Sequence, residues 1–191
     1  MSYKLYFFLI GCKLRGRHTE QHDIFFGIGE RPADLIPALQ DFWPEADNLH
    51  LDCWREVTNV NGHQIKVVLK NEVIEFDKNL TLFFMNLGGY KPGEFEEFHF
   101  RTLCVATSTA EAIKQSKKTS FFKTYGFKGA TSHIDEKYGV DVDEIYAIDE
   151  ILSEIDKAKY SIVVTNEISD QIDELHLGYT TLSKLKSQFR L

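Results

Sequence analysis

The residues of this chain best suited to chemistry come as two short steps, Glu20-x-His22 followed at once by Asp23, and His50-x-Asp52. On an extended backbone alternate side chains share a face, so His18, Glu20 and His22 point together, and so do His50 and Asp52. Two imidazoles with two carboxylates form a donor set for a divalent metal ion. Metal–ligand bonds of about 2 Å leave little room for scatter, so the strands carrying the two steps would have to be neighbours. A structural reading competes with this one. A half-buried histidine ordinarily hydrogen-bonds an aspartate or loop backbone, and here it would tie the first loop to the later strand. General acid–base chemistry without a metal is a third use of the same groups.

Both steps recur. Sliding the chain by 77 positions superposes residues 4–36 on 81–113 without a gap, and eight of those 33 pairs are identical, among them Gly11/Gly88, Glu20/Glu97 and His22/His99. Further on, His50-Leu51-Asp52 aligns with His133-Ile134-Asp135, and 65–68 with 145–148. Phe95 stands in place of His18 and Phe100 in place of Asp23. The candidate ligands are therefore Glu20, His22, Asp23, His50 and Asp52 in the first copy and Glu97, His99, His133 and Asp135 in the second. Other motifs carry less. Cys53 beside Asp52 lacks an oxyanion-hole partner and is replaced by Glu136 in the aligned position. Gly27-x-Gly29 lacks the third glycine of a dinucleotide fingerprint.

The elements that must position these groups read as α+β. Leu5 to Ile10 is a continuous apolar run ended by Gly11, the mark of a strand buried on both faces. Asp23 to Ile28 returns as a second strand. A helix starts near Pro32 and carries Leu35, Ile36, Leu39 and Trp43 on one face, with Pro37 blurring its start. Strands over 49–57 and 64–69 follow, separated by the turn pair Asn61-Gly62. The second copy repeats this over 80–87, 98–106, 109–117, 130–135 and 144–148, with Thr109 capping its helix. The expected architecture is two tandem ββαββ units with mainly antiparallel sheet, helices on one face and a pseudo-twofold arrangement. Their bounds are 1–79 and 80–150, and 151–191 adds a helix, a strand and a tail to one compact structure.

Composition limits the partners. With 191 residues, 43% hydrophobic content and 15 Phe, the chain can bury a full core. The net charge of −7 divides almost evenly between the halves, so neither is a basic module, and nucleic acid and anionic membrane are not expected partners. Three widely spaced cysteines fit a reduced cytoplasmic protein better than a disulfide framework. Leu9-Ile10-Gly11-Cys12 imitates a lipoprotein signal, but the apolar run before it is too short and recurs internally at 82–87. No segment approaches the roughly 20 apolar residues of a membrane helix.

Taken together, Glu20-x-His22-Asp23-x-x-Phe26, a helix ending in Trp43, and His50-x-Asp52 followed by Asn61-Gly62 resemble the small bacterial family catalogued as domain of unknown function 1543. Members carry one or two copies of that domain, and the resemblance implies two here, over about residues 4–150. The second copy departs from the pattern at Phe100 and in insertions between Phe122 and His133. No activity comes with the resemblance. The sequence is therefore read as a non-enzymatic binding or assembly module with a duplicated fold, suited to a homodimer that holds a small molecule or a protein. The alternative is a metal-assisted hydrolase or related small enzyme using Glu20, His22, His50 and Asp52, for which a divalent metal is the cofactor the residues suggest and no other is indicated.

Overall fold

The computed structural model describes residues 2–72, 78–91, 93–119 and 140–189. They divide into two compact units, Met1–Glu75 with Leu152–Leu191 and Phe76–Ile151. The fold is mixed α and β with antiparallel sheets. The C-terminal stretch closes on the first unit.

In unit one, β1 (Lys4–Cys12) lies between β2 (Gln21–Gly29) and β3 (His50–Val57), and β10 (His176–Thr181) completes the order β10-β3-β1-β2. The apolar run of β1 is buried on the face of Tyr6, Phe8 and Ile10, whereas Phe7 and Leu9 on the other face are half-buried, so the expectation of burial on both faces holds in full for one face only. Tyr6, Phe8, Ile10 and Cys12 point to one face and pack with Leu35, Leu39, Leu51 and Leu185. Leu39 belongs to α1 (Ile36–Phe42) and Leu185 to α5 (Leu182–Gln188), so the helices cover that face. Alternation sends Leu5, Phe7, Leu9 and Gly11 to the other face, where the site lies. A second sheet has the order β4 (Asn59–Val60), β5 (His63–Leu69), β9 (Tyr160–Ile168). Asn61 and Gly62, both with positive φ (53° and 82°), make the turn between β4 and β5.

Unit two sets β6 (Thr81–Tyr90) between β7 (Glu97–Ala106) and β8 (Val140–Ala147), with α2 (Thr109–Ser116) on the face of Phe83, Met85 and Leu87. The short helix α3 (Ile148–Ile151) ends it, and α4 (Glu154–Lys159) opens the return to unit one. The pairing of β6 with β7 repeats that of β1 with β2 residue for residue at a spacing of 77, from Lys4↔Gly29 and Thr81↔Ala106 onward.

The third strand repeats at a different spacing. Gly11 pairs with His50 and Gly88 with Asp141, while Leu9 pairs with Cys53 and Asn86 with Glu144, so β8 follows β3 by 91 positions. The insertion is therefore longer than the alignment of His50-x-Asp52 with His133-x-Asp135 allowed. Residues 145–148, aligned by sequence with 65–68, instead continue the strand that pairs with β6 and lead into α3. The expected strand at 130–135 lies outside the described residues.

The cap of α2 is Ser108, not Thr109. Ser108 is extended (φ −162°, ψ 161°), and its hydroxyl accepts from the Glu111 backbone N–H at 3.3 Å. The Glu111 carboxylate in turn accepts from the Thr107 N–H at 3.0 Å. We expect Ser108→Ala to destabilise unit two by about 1 kcal/mol, read as a lowered urea midpoint, and Thr109→Ala to have little effect.

Candidate metal centre

The site of unit one is assembled across three strands around a glycine. Gly11 on β1 pairs with His22 on β2 and with His50 on β3, so both imidazoles flank the same bare backbone position. Asp52 reaches the site through a β-bulge. The register steps from Leu9↔Cys53 to Ile10↔Leu51, leaving Asp52 as the extra residue. A bulge re-aims a side chain. Here it keeps Asp52 on the face of His50 and returns Trp54 to the core, where its ring stacks on His176 of β10 at 3.8 Å.

Four side chains converge. His22 Nε2 lies 3.1 Å from Asp52 Oδ2 and 3.5 Å from Glu20 Oε2, while His50 Nε2 lies 3.2 Å from Glu20 Oε1 and 3.5 Å from Asp52 Oδ1. Ligands about 2.1 Å from one ion stand roughly 3.0 Å apart at a right angle and roughly 3.4 Å apart at the tetrahedral angle. The four separations are of this order but run to different oxygens of each carboxylate, so the side chains ring a shared space without one atom from each already converging on a point. The site also runs from a closed floor to an open mouth, since the side chain of His50 is 4% exposed, Asp52 28%, His22 36% and Glu20 42%.

His50 is oriented from behind. Its Nδ1 stands 3.2 Å from the Asn48 carbonyl oxygen, which can only accept, so Nδ1 is the donor of that contact and the Nε2 side of the ring is turned to the site. This is how a metal-ligating histidine is ordinarily held. The ring of Tyr179, from β10, packs on the His50 ring at 4.4 Å. Despite the short separations, neither His50 Nε2 nor Asp52 Oδ2 makes a hydrogen bond, and both atoms are buried. A methyl group on Gly11 would lie 2.6 Å from His50 Nε2 and 2.9 Å from Asp52 Oδ2, so the glycine leaves open the space these two atoms border.

Unit two uses the same positions with other residues. Gly88 pairs with His99 on β7 and Asp141 on β8, and Asp143 is the bulge residue, skipped between Asn86↔Glu144 and Leu87↔Val142. His99 Nε2 lies 3.5 Å from Asp143 Oδ2 and 4.0 Å from Glu97 Oε2, and one ligand atom from each of the three lies within 4.8 Å of the others. The Tyr90 hydroxyl bonds to the Glu97 carboxylate, which, with some burial and the charges of Glu97 and Asp143, holds the phenol above its ordinary pKa.

Of the residues expected from sequence, Glu20, His22, His50 and Asp52 come together, and Glu97 and His99 come together with Asp143. Asp23 does not join them. It is exposed on the opposite face of β2, where its carboxylate accepts from the Ile24 N–H at 2.7 Å. His18 is exposed in the preceding loop. His133 and Asp135 lie outside the described residues. Sequence reasoning missed Asp143, Gly11 and Tyr179. The alternating Val140-Asp141-Val142-Asp143 pattern was the available signal for Asp143, and the shared Gly11/Gly88 was the signal for the cradle.

Fold and site thus define an antiparallel α+β protein with His/carboxylate clusters seated against strand glycines. Residues 17–67 match the family described as Domain of Unknown Function (DUF1543), a stretch that includes all four residues of the first cluster. Among solved structures, the chain is similar to a protein Il1583 from Idiomarina loihiensis, with a TM-score of 0.55 and 20% identity over 94% of this chain and 97% of that one. At that identity the likeness concerns the fold. A comparison with curated proteins finds no match. Among the described residues, no helix is long and apolar enough to cross a membrane.

Proposed function

We propose that this chain is a non-enzymatic, divalent-metal-binding module built from a duplicated unit, with its principal seat at Glu20, His22, His50 and Asp52. One observation carries the reading. His50 Nε2 is buried and turned to the site by the contact of Nδ1 with the Asn48 carbonyl, yet it stands 3.2 Å from a carboxylate oxygen with no hydrogen bond between them. A cation seated between them would satisfy both atoms. A proton on Nε2 would call for the hydrogen bond that is missing, whereas a cation bound jointly by His50, Asp52, His22 and Glu20 needs no such alignment. A set of two nitrogens and two carboxylates suits Zn2+, Fe2+, Co2+ or Ni2+. Duplication is supported by the hairpin register repeated at 77 positions and by the shared places of glycine, Glu-x-His step and bulged aspartate.

The test is metal analysis of protein stripped with chelator, reloaded with Zn2+ and dialysed. Zinc should be retained stoichiometrically by unit one and released as the pH is lowered, because the ligands bind only when deprotonated. Zinc retention unchanged by His22→Ala would sink the reading. A second reading, metal-assisted hydrolysis, is favoured by the exposed side of the cluster at Glu20 and His22, which admits a substrate. It predicts metal-dependent cleavage of an activated ester or phosphoester that is lost with the metal.

A further inference from the structure

We propose a second cation site in unit two, formed by Glu97, His99 and Asp143, that prefers a harder divalent ion of the Mn2+ class. The proposal rests on the metal-binding reading of unit one but concerns different residues. The same three backbone devices are present here. Gly88 lies opposite His99, a bulge turns out Asp143, and a methyl group on Gly88 would collide with both Asp143 oxygens. A glycine kept clear beneath a carboxylate at the place where Gly11 lies beneath His50 and Asp52 is the feature that joins the two sites.

The donor chemistry differs. Unit one supplies two imidazoles. Unit two supplies one imidazole and two carboxylates, and Asp141 occupies the register position of His50. Oxygen-rich sets favour Mg2+, Ca2+ and Mn2+, while imidazole favours Zn2+ and its neighbours. Spacing points the same way. Separations of 3.5 and 4.0 Å fit bonds of about 2.3 Å, which put ligands roughly 3.3–4.0 Å apart at angles of about 90–120°. The surroundings are also more polar. Beside Gly88 the cross-strand pair is Asn86 and Glu144, joined by a 2.8 Å hydrogen bond, where unit one has Leu9 and Cys53. With a single imidazole and a wider set, the site should bind more weakly than that of unit one and keep water on the ion.

The two sites can be separated in one experiment. Metal-free protein is loaded with Zn2+ to fill unit one and titrated with Mn2+, with free Mn2+ followed by its EPR signal. We expect Mn2+ still to bind, with affinity lowered at least about tenfold by Asp143→Asn and by His99→Ala. His50→Ala should abolish retention of Zn2+, so the Mn2+ titration is compared between zinc-loaded wild-type protein and the zinc-loaded unit-two variants. His99 is exposed, so its removal reports on binding even if Asp143→Asn perturbs folding. Absence of Mn2+ binding to zinc-loaded protein, or binding indifferent to both variants, overturns the proposal. Zinc retention unchanged in His50→Ala would instead overturn the reading of unit one.

Discussion

Gly11→Ala should empty the proposed metal seat of unit one as completely as His50→Ala does, at a cost of only about 1–3 kcal/mol in stability. Gly11 contributes no ligand, so on a simple inventory of donors it is irrelevant. Its role is to leave space. The added methyl carbon would sit 2.6 Å from His50 Nε2 and 2.9 Å from Asp52 Oδ2, which is too close for both to remain. The ring cannot withdraw easily, because the Asn48 carbonyl holds Nδ1 and the Tyr179 ring packs on its face. The ligand atoms must therefore part, and a set that needs bonds of about 2 Å does not survive such a displacement. Removing a supporting group alone costs ten- to hundredfold in metal affinity, so losing the convergence itself should exceed about a hundredfold. Calorimetric titration with Zn2+ beside a thermal melt reads both quantities. Gly16→Ala is the control. Gly16 has φ +80° and open space around it, so alanine there strains the backbone by roughly 1–2 kcal/mol without approaching the site. Wild-type zinc affinity in folded Gly11→Ala would show that nothing is bound where the glycine leaves room.

The sequence made the first hairpin legible because its information is local. A continuous apolar run closed by glycine reads as a buried strand wherever it occurs, and the match at 77 positions reappears in space as one register. The third strand is different. Two identities, His133 and Asp135, drew the alignment away from the Val-Asp-Val-Asp strand that follows, since a sequence match rewards identical residues and register rewards alternation. The bulges at Asp52 and Asp143 have no composition of their own, so the alternation around Asp143 marks a strand, and only its pairing with β6 singles Asp143 out as the bulge residue. Pro37 was a smaller obstacle with a local solution. A 3-10 turn, Pro32–Leu35, hands over to α1, and Pro37 falls in the first turn of the helix, where its missing N–H is not needed. Strand β10 was missed because its His-Leu-Gly-Tyr-Thr-Thr sequence contains a glycine at φ +107° and alternates weakly. Its place is set by β3 and by the stacking of His176 on Trp54, both remote in sequence.

The largest effect on stability is expected at Asp173, far in sequence from the strands it secures. Its side chain is 2% exposed and accepts from the Thr58 hydroxyl at 2.5 Å, the Thr58 N–H at 3.1 Å and the Asn59 N–H at 3.4 Å. The backbone at Thr58 and Asn59 is leaving one sheet for the next, so no ladder satisfies both of these N–H groups. The Arg55 guanidinium lies 3.9 Å away, and burial lowers its pKa against the opposing pull of Asp173. Alanine at 173 leaves two backbone donors and a hydroxyl without their partner and the largely buried Arg55 without its counter-charge. Breaking a buried ion pair from one side costs about 3–5 kcal/mol, so Asp173→Ala should lower the urea midpoint of unit one by that equivalent. Asp173→Asn keeps an acceptor of similar shape and should cost less, about 1–3 kcal/mol. The consequence reaches the proposed seat at His50. Asp173 fixes the chain three residues before β10, and β10 carries Tyr179, which packs on His50. In Asp173→Ala the amide protons of β10 should therefore exchange sooner than those of β1, because the strand loses its anchor while the centre of the sheet keeps both neighbours. If β10 and β1 instead exchanged together at the wild-type rate, Asp173 would be a bystander and the C-terminal strand would be held by its pairing with β3 alone.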